Sequence, residues 1–468
     1  MKILSGLADG ALLQRDKNGF CRCLFEAVCT GELKTSLGFL EKKDANQYVL
    51  KGIVSGGPYT LELSDDTEQI ILSIWVGDLW ILGGQSNMEG AGKYTIAEEE
   101  EERSSSDQIR CYYLDNRWAP AIPILHEPWL AVDDCQRKVW IEARKNSPWK
   151  SEQPAHISHG VPKSGVGPGL YFAKKLFEIT GVPQAVIPCA LGGANLDSWI
   201  PQEESGNNLY AAMLRRFIRT GSFVRGIFWD QGEAETSPNR ARDFTSTMKT
   251  LFESMRRDMK DPNLPIVQVQ LGLCGIAGIC DKLMEGEGGL WNCIREKQRL
   301  LDGEIPYLET IASIDNEYDD LIHYSSASQR VMGKRAALSM ALLCGYGGKA
   351  APRIGKMEVR QDEYVPFFSA VDIYYENVEM LQSAGRPSGF LICEDIAKWH
   401  LNPNMGVSRI RMQGNVLTLY SELDRERLKD AYICYGYGHM SYCNIVDEQQ
   451  CSIPAFGPAR IRDFIKEK

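Results

Sequence analysis

The spacing of apolar positions shifts along the chain from strand-like to mixed and back. Over residues 1–76 the apolar runs are short, as in Tyr48-Val49-Leu50 and Tyr59-Thr60-Leu61-Glu62-Leu63, and turn signals such as Ser55-Gly56-Gly57-Pro58 separate them. Such runs predict strands, and no stretch of helical period interrupts them. At Leu79-Trp80-Ile81-Leu82 the pattern becomes continuously apolar and ends in Gly83-Gly84. A run of that kind predicts a strand buried on both faces, as in a parallel sheet. From there to about residue 345 the two periods alternate. Helices are predicted at Leu170–Phe177, Tyr210–Ile218, Phe244–Met259 and Trp291–Leu301, and strands at Ala185–Pro188, Val224–Trp229, Pro265–Leu271 and Leu308–Ile314. This alternation predicts βαβ units and a sheet with helices on both faces. After Gly345-Tyr346-Gly347-Gly348 the helical period stops. Val371–Tyr375, Phe390–Cys393, Val407–Met412, Val416–Tyr420 and Ala431–Tyr435 then read as strands of a β-sandwich-like module. The expected domains are an N-terminal β-rich segment (1–76), an α/β domain (77–345) and a C-terminal β module (346–468).

Composition narrows the class. With 468 residues, 44% of them hydrophobic, the chain can bury a large core. Its 19 Tyr, 15 Phe and 10 Trp exclude disorder as the main state. The longest apolar stretch, Ile70 to Leu82, is broken by Ser73, Gly77 and Asp78 and is too short to cross a bilayer, so no membrane partner is expected. A formal charge of −10 repels phosphate backbones and argues against nucleic acid. The opening MKILSGLADGALLQRD is too short and polar for a signal peptide. The 14 cysteines have no repeating spacing, and Cys21 and Cys23 lack a second pair at zinc-site distance. Reduced thiols, a cytoplasmic location and neither metal nor other cofactor are expected. The run Glu98–Glu102 before Ser104-Ser105-Ser106 reads as a solvated loop.

Three patterns carry candidate chemistry. Ser86, in Gly83-Gly84-Gln85-Ser86-Asn87-Met88-Glu89-Gly90, follows a buried strand at the edge where open α/β sheets bind ligands. It is either a nucleophile or a helix-capping serine. In Asp320-Leu321-Ile322-His323 a carboxylate three residues before a histidine can orient an imidazole that takes a proton from serine. A structural histidine is the plainer reading of that motif. Cys189-Ala190-Leu191-Gly192-Gly193-Ala194-Asn195 and Trp229-Asp230-Gln231-Gly232-Glu233 each follow a strand and offer bare N–H groups and an amide, the donors an oxyanion hole uses. Each is equally readable as an ordinary strand-to-helix turn.

In this order the blocks resemble the SGNH hydrolases, the flavodoxin-like esterases, and more closely their carbohydrate-esterase branch. Gly84-Gln85-Ser86-Asn87-Met88 matches the nucleophile block shared by the sialic acid acetylesterases and the plant-type acetyl-sugar esterases. Gly165-Val166-Gly167-Pro168-Gly169, Pro188–Gly193 and Asp320–His323 look like the plant-type group. Gly56–Leu61 and Val76–Trp80 are similar to the sialic acid acetylesterases. Departures stand at Asp230, where the family usually has an aromatic, at Ala194, where Thr is common, and at Tyr324, where the sialic acid group typically has proline.

The resemblance implies an α/β fold: a flavodoxin-like three-layer αβα core flanked by N-terminal β elements and a C-terminal β-sandwich-like module. It implies a carbohydrate O-acetylesterase working through an acetyl-serine on sialic acid or hemicellulose-derived sugars, with an acetylated mono- or oligosaccharide as partner. Ser86 is the implied nucleophile, His323 the base and Asp320 the orienting acid, with Asp315 as rival and Asp319 as third candidate. Ser86, Gly193 and Gln231 form the implied oxyanion hole, and Gln85, Asn87 and Glu233 are expected to bind substrate. Trp118, Trp129, Trp140 and Trp149 crowd an inserted segment and read as its own small core or as sugar platforms. An inactive glycan-binding protein and a lipid or thioester hydrolase on the same fold remain as alternatives.

Overall fold

The computed structural model describes residues 1–94, 107–145, 163–201, 207–276, 289–396 and 406–465. The run Glu98–Glu102, Ser104–Ser106, Trp149, His156, His159 and His400 lie outside the described residues. The chain forms two compact units. One holds residues 1–231, 249–266 and 323–348, and the other residues 232–248, 267–322 and 349–468.

The first unit opens with β1 (Leu12–Gln14), β2 (Phe20–Val28), β3 (Phe39–Lys42), β4 (Gln47–Val54) and β5 (Gly56–Ser64). Next comes β6, a single strand from Gln69 to Gly84. Its first half pairs antiparallel with β5 and alternates, with Leu72 and Ile74 buried and Ile71 exposed. From Trp75 onward every residue is buried. There β6 lies between β8 (Gln184–Pro188) and β9 (Gly226–Asp230), parallel to both. The change from alternating to continuous apolar residues thus marks the passage from a one-sided antiparallel sheet to a parallel sheet covered on both faces. Beyond β8 the parallel array ends in β7 (Ile109–Tyr112).

The polar residues that interrupt β6 are used. A Cβ on Gly77 would stand 1.9 Å from the Pro183 carbonyl oxygen. Asp78 is fully buried, and its carboxylate takes Arg15 Nη2 at 2.8 Å, Arg225 Nε at 3.2 Å and Gln14 Nε2 at 3.1 Å.

Between β6 and β7 the chain makes the single turn α1 (Ser86–Glu89). Helix α2 (Gly169–Thr180) buries Leu170, Phe172, Ala173 and Leu176 and stops at Gly181, whose φ of 67° lets its N–H reach the Phe177 carbonyl. Helix α3 (Leu209–Arg219) is capped by Asn208. Helix α4 (Ser326–Leu343) comes after the His323 turn and is capped by Ser325. A Cβ on its Gly333 would stand 2.5 Å from the Pro168 carbonyl, so α4 and α2 touch main chain to main chain.

The second unit carries the strand Leu308–Ala312, the helix Gly289–Glu304 and two antiparallel sheets. One sheet runs Arg353–Gln361, Ser369–Glu376, Val416–Ser421, Arg409–Gln413; the other Phe390–Cys393, Tyr432–Tyr435, Phe456–Arg460. Val371, Leu417, Ile433 and Phe456 from both sheets share one core. The five C-terminal strands expected from the sequence fall within a residue or two of their places, whereas Arg353–Gln361 and Phe456–Arg460 were not among them. One expectation fails: helical structure does not stop at residue 348. Arg425–Asp430 is a short helix because Asp424 caps it, accepting the N–H groups of Glu426 and Arg427 at 3.0 Å. No helix among the described residues is long and apolar enough to cross a membrane.

Asp78 is the test of this architecture. Asp78→Ala leaves two guanidinium groups without their carboxylate and should cost about 3–5 kcal/mol of unfolding free energy. Urea denaturation of the variant measures it, and a loss below about 1 kcal/mol, the range of exposed ion pairs, would show that the cluster is peripheral.

Candidate active site

The carboxyl end of β6 is a switch point, since the chain goes on to β7 and β8 on one side and to β9 on the other. Open α/β sheets bind ligands at such points. Register aligns Asp230 with Gly84 and Pro188 with Leu82, so three strand ends meet around Ser86. The approach is close. Gly84 has φ +134°, and a Cβ there would stand 2.0 Å from the Asp230 carbonyl oxygen. On Gly83 a Cβ would stand 2.7 Å from the Trp229 ring. Gln85, buried, donates its N–H to the Asp230 carbonyl at 2.9 Å. On the far side of α1, a Cβ on Gly90 would stand 2.2 Å from the Gly165 carbonyl. Both glycine pairs are therefore steric requirements of the turn that presents Ser86.

Ser86 Oγ lies 3.0 Å from His323 Nε2. The sequence separates the two by 237 positions, and Asn87 joins their segments. Its side-chain oxygen accepts the N–H of Tyr324 at 3.1 Å, and its main-chain oxygen accepts Gln329 Nε2 at 3.0 Å. Asn87 is buried, so the residue after Ser86 is bolted to the residue after His323 and to the first turn of α4.

The turn after β8 is fixed one N–H at a time. Cys189 donates to Leu82, Leu191 to Gly84, Ala190 to His126 Nε2 at 3.2 Å and Gly192 to Glu89 Oε2. A Cβ on Gly192 would stand 3.6 Å from Ser86 Cβ, so this turn lies beside Ser86. The next N–H, that of Gly193 (φ +72°), has no partner among the described residues, and neither does the N–H of Ser86 at the head of α1. Gln231 is fully buried, with Nε2 3.5 Å from the Ala194 carbonyl. Beside this turn opens a cavity of about 510 Å3, lined by Gly192, Gly193, Asn195, Asp197 and Asn208.

Two ionisable groups hold the turn. Burial, with a smaller contribution from Arg216, pushes His126 down to about 3 and keeps it a neutral acceptor. Desolvation pushes the Glu89 carboxyl up to about 7, against the Gly192 N–H that favours its charged form.

Thus Ser86, His323, Gln85, Asn87, Gly193 and Gln231 fall in the first unit, with Ser86 and His323 in contact. Asp320 falls in the second unit. It is exposed and accepts the N–H of Ile322 at 2.8 Å. Asp315 and Asp319 are half-buried in the same segment. Glu233, buried, opens the short turn Glu233–Glu235 of that unit. Trp118 is buried against Tyr112, and Trp129 stacks on Trp140 at 5.4 Å. Sequence reasoning did not single out His126 or the work of Glu89. The only signal was a carboxylate one turn after the serine.

The fold is an α/β one with a parallel-rich central sheet, and comparison with known proteins gives the family, one of hydrolases acting on esters. Residues 76–342 match the family model of carbohydrate esterases of the sialic acid-specific acetylesterase type. A probable carbohydrate esterase of Arabidopsis thaliana is 31% identical over 234 residues, spanning 48% of this chain and 80% of that protein. A solved carbohydrate acetylesterase from Xanthomonas citri shares the fold at a TM-score of 0.66 and 21% identity, covering 97% of this chain and 99% of its own. The chain belongs to the carbohydrate esterase family of sialic acid-specific acetylesterases, with its flavodoxin-like αβα core and added C-terminal sheets.

Two outcomes test the site's construction. Asn87→Ala should lower kcat by about a hundredfold while KM stays within about twofold, because it moves the base and not the substrate. A rise in KM with kcat preserved would make Asn87 a substrate-binding group instead. His126, depressed in the fold, contributes stability above its usual 6.5 that is lost as pH falls towards about 3. In His126→Gln the melting temperature should therefore fall less steeply over that range than in wild type. Parallel curves would assign the acid sensitivity elsewhere.

Proposed function

We propose that the protein removes O-acetyl groups from sugars through an acetyl-serine intermediate. The 3.0 Å contact between Ser86 Oγ and His323 Nε2 carries this reading. As Oγ attacks the acetyl carbonyl carbon, His323 Nε2 takes the hydroxyl proton. The N–H groups of Ser86 and Gly193, which have no other partner among the described residues, and the Gln231 amide hold the oxyanion. His323 passes the proton to the sugar oxygen as the ester C–O bond breaks, and the acetyl group stays on Ser86. Water then enters. His323 takes one of its protons while its oxygen attacks the acyl carbon, and that proton returns to Ser86 Oγ as acetate leaves. We assign the orienting acid to Asp320 from its three-residue spacing to His323, with Asp315 as rival.

The substrate class is an acetylated mono- or oligosaccharide, from sialic acid or hemicellulose. Two observations support it: the sialic acid-specific description of the matching family and the carbohydrate esterase name of the Arabidopsis relative.

Acetate release from acetylated xylo-, manno- and sialyl-oligosaccharides tests substrate and mechanism together. Ser86→Ala should lower kcat by at least about a thousandfold in a folded protein. Asp320→Asn should lower kcat strongly yet leave turnover, and Asp315→Asn should stay within a few-fold of wild type. A folded Ser86→Ala variant within tenfold of wild type ends the serine mechanism. A preference for long-chain thioesters ends the sugar reading. If Asp315→Asn is the crippled variant, the triad acid is misassigned.

A further inference from the structure

A second cavity, of about 790 Å3, lies in the N-terminal β segment of the first unit. That size fits a small-molecule site. Part of its lining comes from Gln14, which stands opposite Gly77 in β6. Gly77 to Gly84 is seven residues of strand, roughly 23 Å at the rise of a β-strand, so the cavity is separate from Ser86.

Its chemistry is uneven. Five lining side chains are cationic, Arg15, Lys17, Arg22, Lys51 and Arg225, on a protein whose formal charge is −10. The lining carboxylate, Asp16, is occupied by the N–H groups of Asn18 at 2.8 Å and Phe20 at 3.1 Å. Arg15 and Arg225 are held by Asp78, and Lys51 meets Glu41, which Lys43 also contacts. Arg22 has a ring as its partner: its guanidinium lies over Phe223, 4.1 Å from the ring centre.

Strand register sharpens the picture. Lys51 of β4 stands opposite Arg22 of β2 on one side and opposite Phe39 of β3 on the other. Arg22, Lys51 and Phe39 therefore form one row across three strands, and all three line the cavity. Phe39, at the end of the row, is 57% exposed, and Phe20 at the rim is 43% exposed. Gly52 makes the ring's position possible, since a Cβ there would stand 2.7 Å from Phe39 Cε1.

We propose that this cavity is a second, non-catalytic carbohydrate site that binds an acidic sugar unit, its carboxylate on Arg22, Lys51 and Lys17 and its C–H face on Phe39. A guanidinium, with its planar fork of donors, suits the two oxygens of a carboxylate. An exposed ring beside it suits the apolar face of a pyranose, as a bare ion would not require. Phosphate sites are typically built from main-chain N–H groups of a glycine-rich turn or a helix N-terminus. Here the charges are side chains spread along strands.

The experiment is calorimetric titration of full-length Ser86→Ala with glucuronate, N-acetylneuraminate, glucose and inorganic phosphate. Both acidic sugars should bind, at least about tenfold tighter than glucose and phosphate. Arg22→Ala and Phe39→Ala, each added to Ser86→Ala, should weaken acidic-sugar binding by about tenfold or more. The same two substitutions in the active enzyme should leave hydrolysis of 4-nitrophenyl acetate within about twofold, because the cavity is remote from Ser86. Equal binding of glucose overturns the role of the charge, and tighter binding of phosphate overturns the sugar. Acidic-sugar binding that neither substitution weakens belongs to the catalytic site and overturns the proposal, as does the absence of binding.

Discussion

The constraint on which the site depends is at Gly84, where the main chain of β6 runs so near the Asp230 carbonyl that no side chain fits. The strand that ends there is the long one, buried over its whole parallel half. Because it is pinned between β8 and β9 in register, the turn after it has a single exit, and Ser86 is the first helical residue on that path. The position of Ser86 is thus a property of the sheet more than of its own loop. Asp78 serves the same end six residues earlier. Two guanidinium groups make a carboxylate tolerable inside the strand, and the register that they fix is the register that aligns Gly84 with Asp230. A one-residue slip would turn every side chain of β6 to the other face.

The histidine reaches the same point differently. It sits on a turn that leads directly into α4, and that helix is packed main chain to main chain on α2, which fixes where the turn ends. Asn87 ties the turn to the Ser86 segment through both of its oxygens. This gives the departure at Tyr324 a physical meaning. A proline after the histidine, as the sialic acid acetylesterases typically have, carries no N–H for Asn87 to accept. Here the donor exists and is used, so His323 is positioned by a hydrogen bond instead of by a ring's fixed φ.

How each element is stabilised decides how legible it was in the sequence. Leu79–Leu82 announced itself because a strand buried on both faces must be apolar throughout. Ser86 and His323 were legible as motifs, and the structure brings them together. Helix α4 was not among the expected helices: its buried residues Ala336, Ala337, Ser339 and Ala341 are small and lie on several sides, so it shows no apolar stripe. The strand Phe20–Val28 was also passed over, although its buried positions alternate, because cysteines and an alanine occupy several of them. Ser73, Gly77 and Asp78 read as breaks in an apolar run, yet the strand passes straight through them. Their partners, Pro183 and the arginines, lie far away in the sequence, and spacing cannot show that.

The same distinction governs the electrostatics of the Cys189–Gly193 turn. His126 and Glu89 each accept one of its N–H groups, and burial drives both towards neutrality, the histidine down and the carboxyl up. Their pH dependences therefore oppose each other. Stability linked to His126 is complete above 6.5 and drains away as pH falls towards about 3. Stability linked to Glu89 is complete below 4.5 and is lost as pH rises through about 7. Between 4.5 and 6.5 the two slopes offset, so the turn that carries the Gly193 N–H is buffered there against changes in pH. At neutral pH Glu89 stands near its midpoint. Its charged form grips Gly192 more firmly but places a negative charge beside the position where the proposed oxyanion develops, and its neutral form does the reverse. A carboxyl poised between the two gives the turn order while limiting the charge that opposes the reaction.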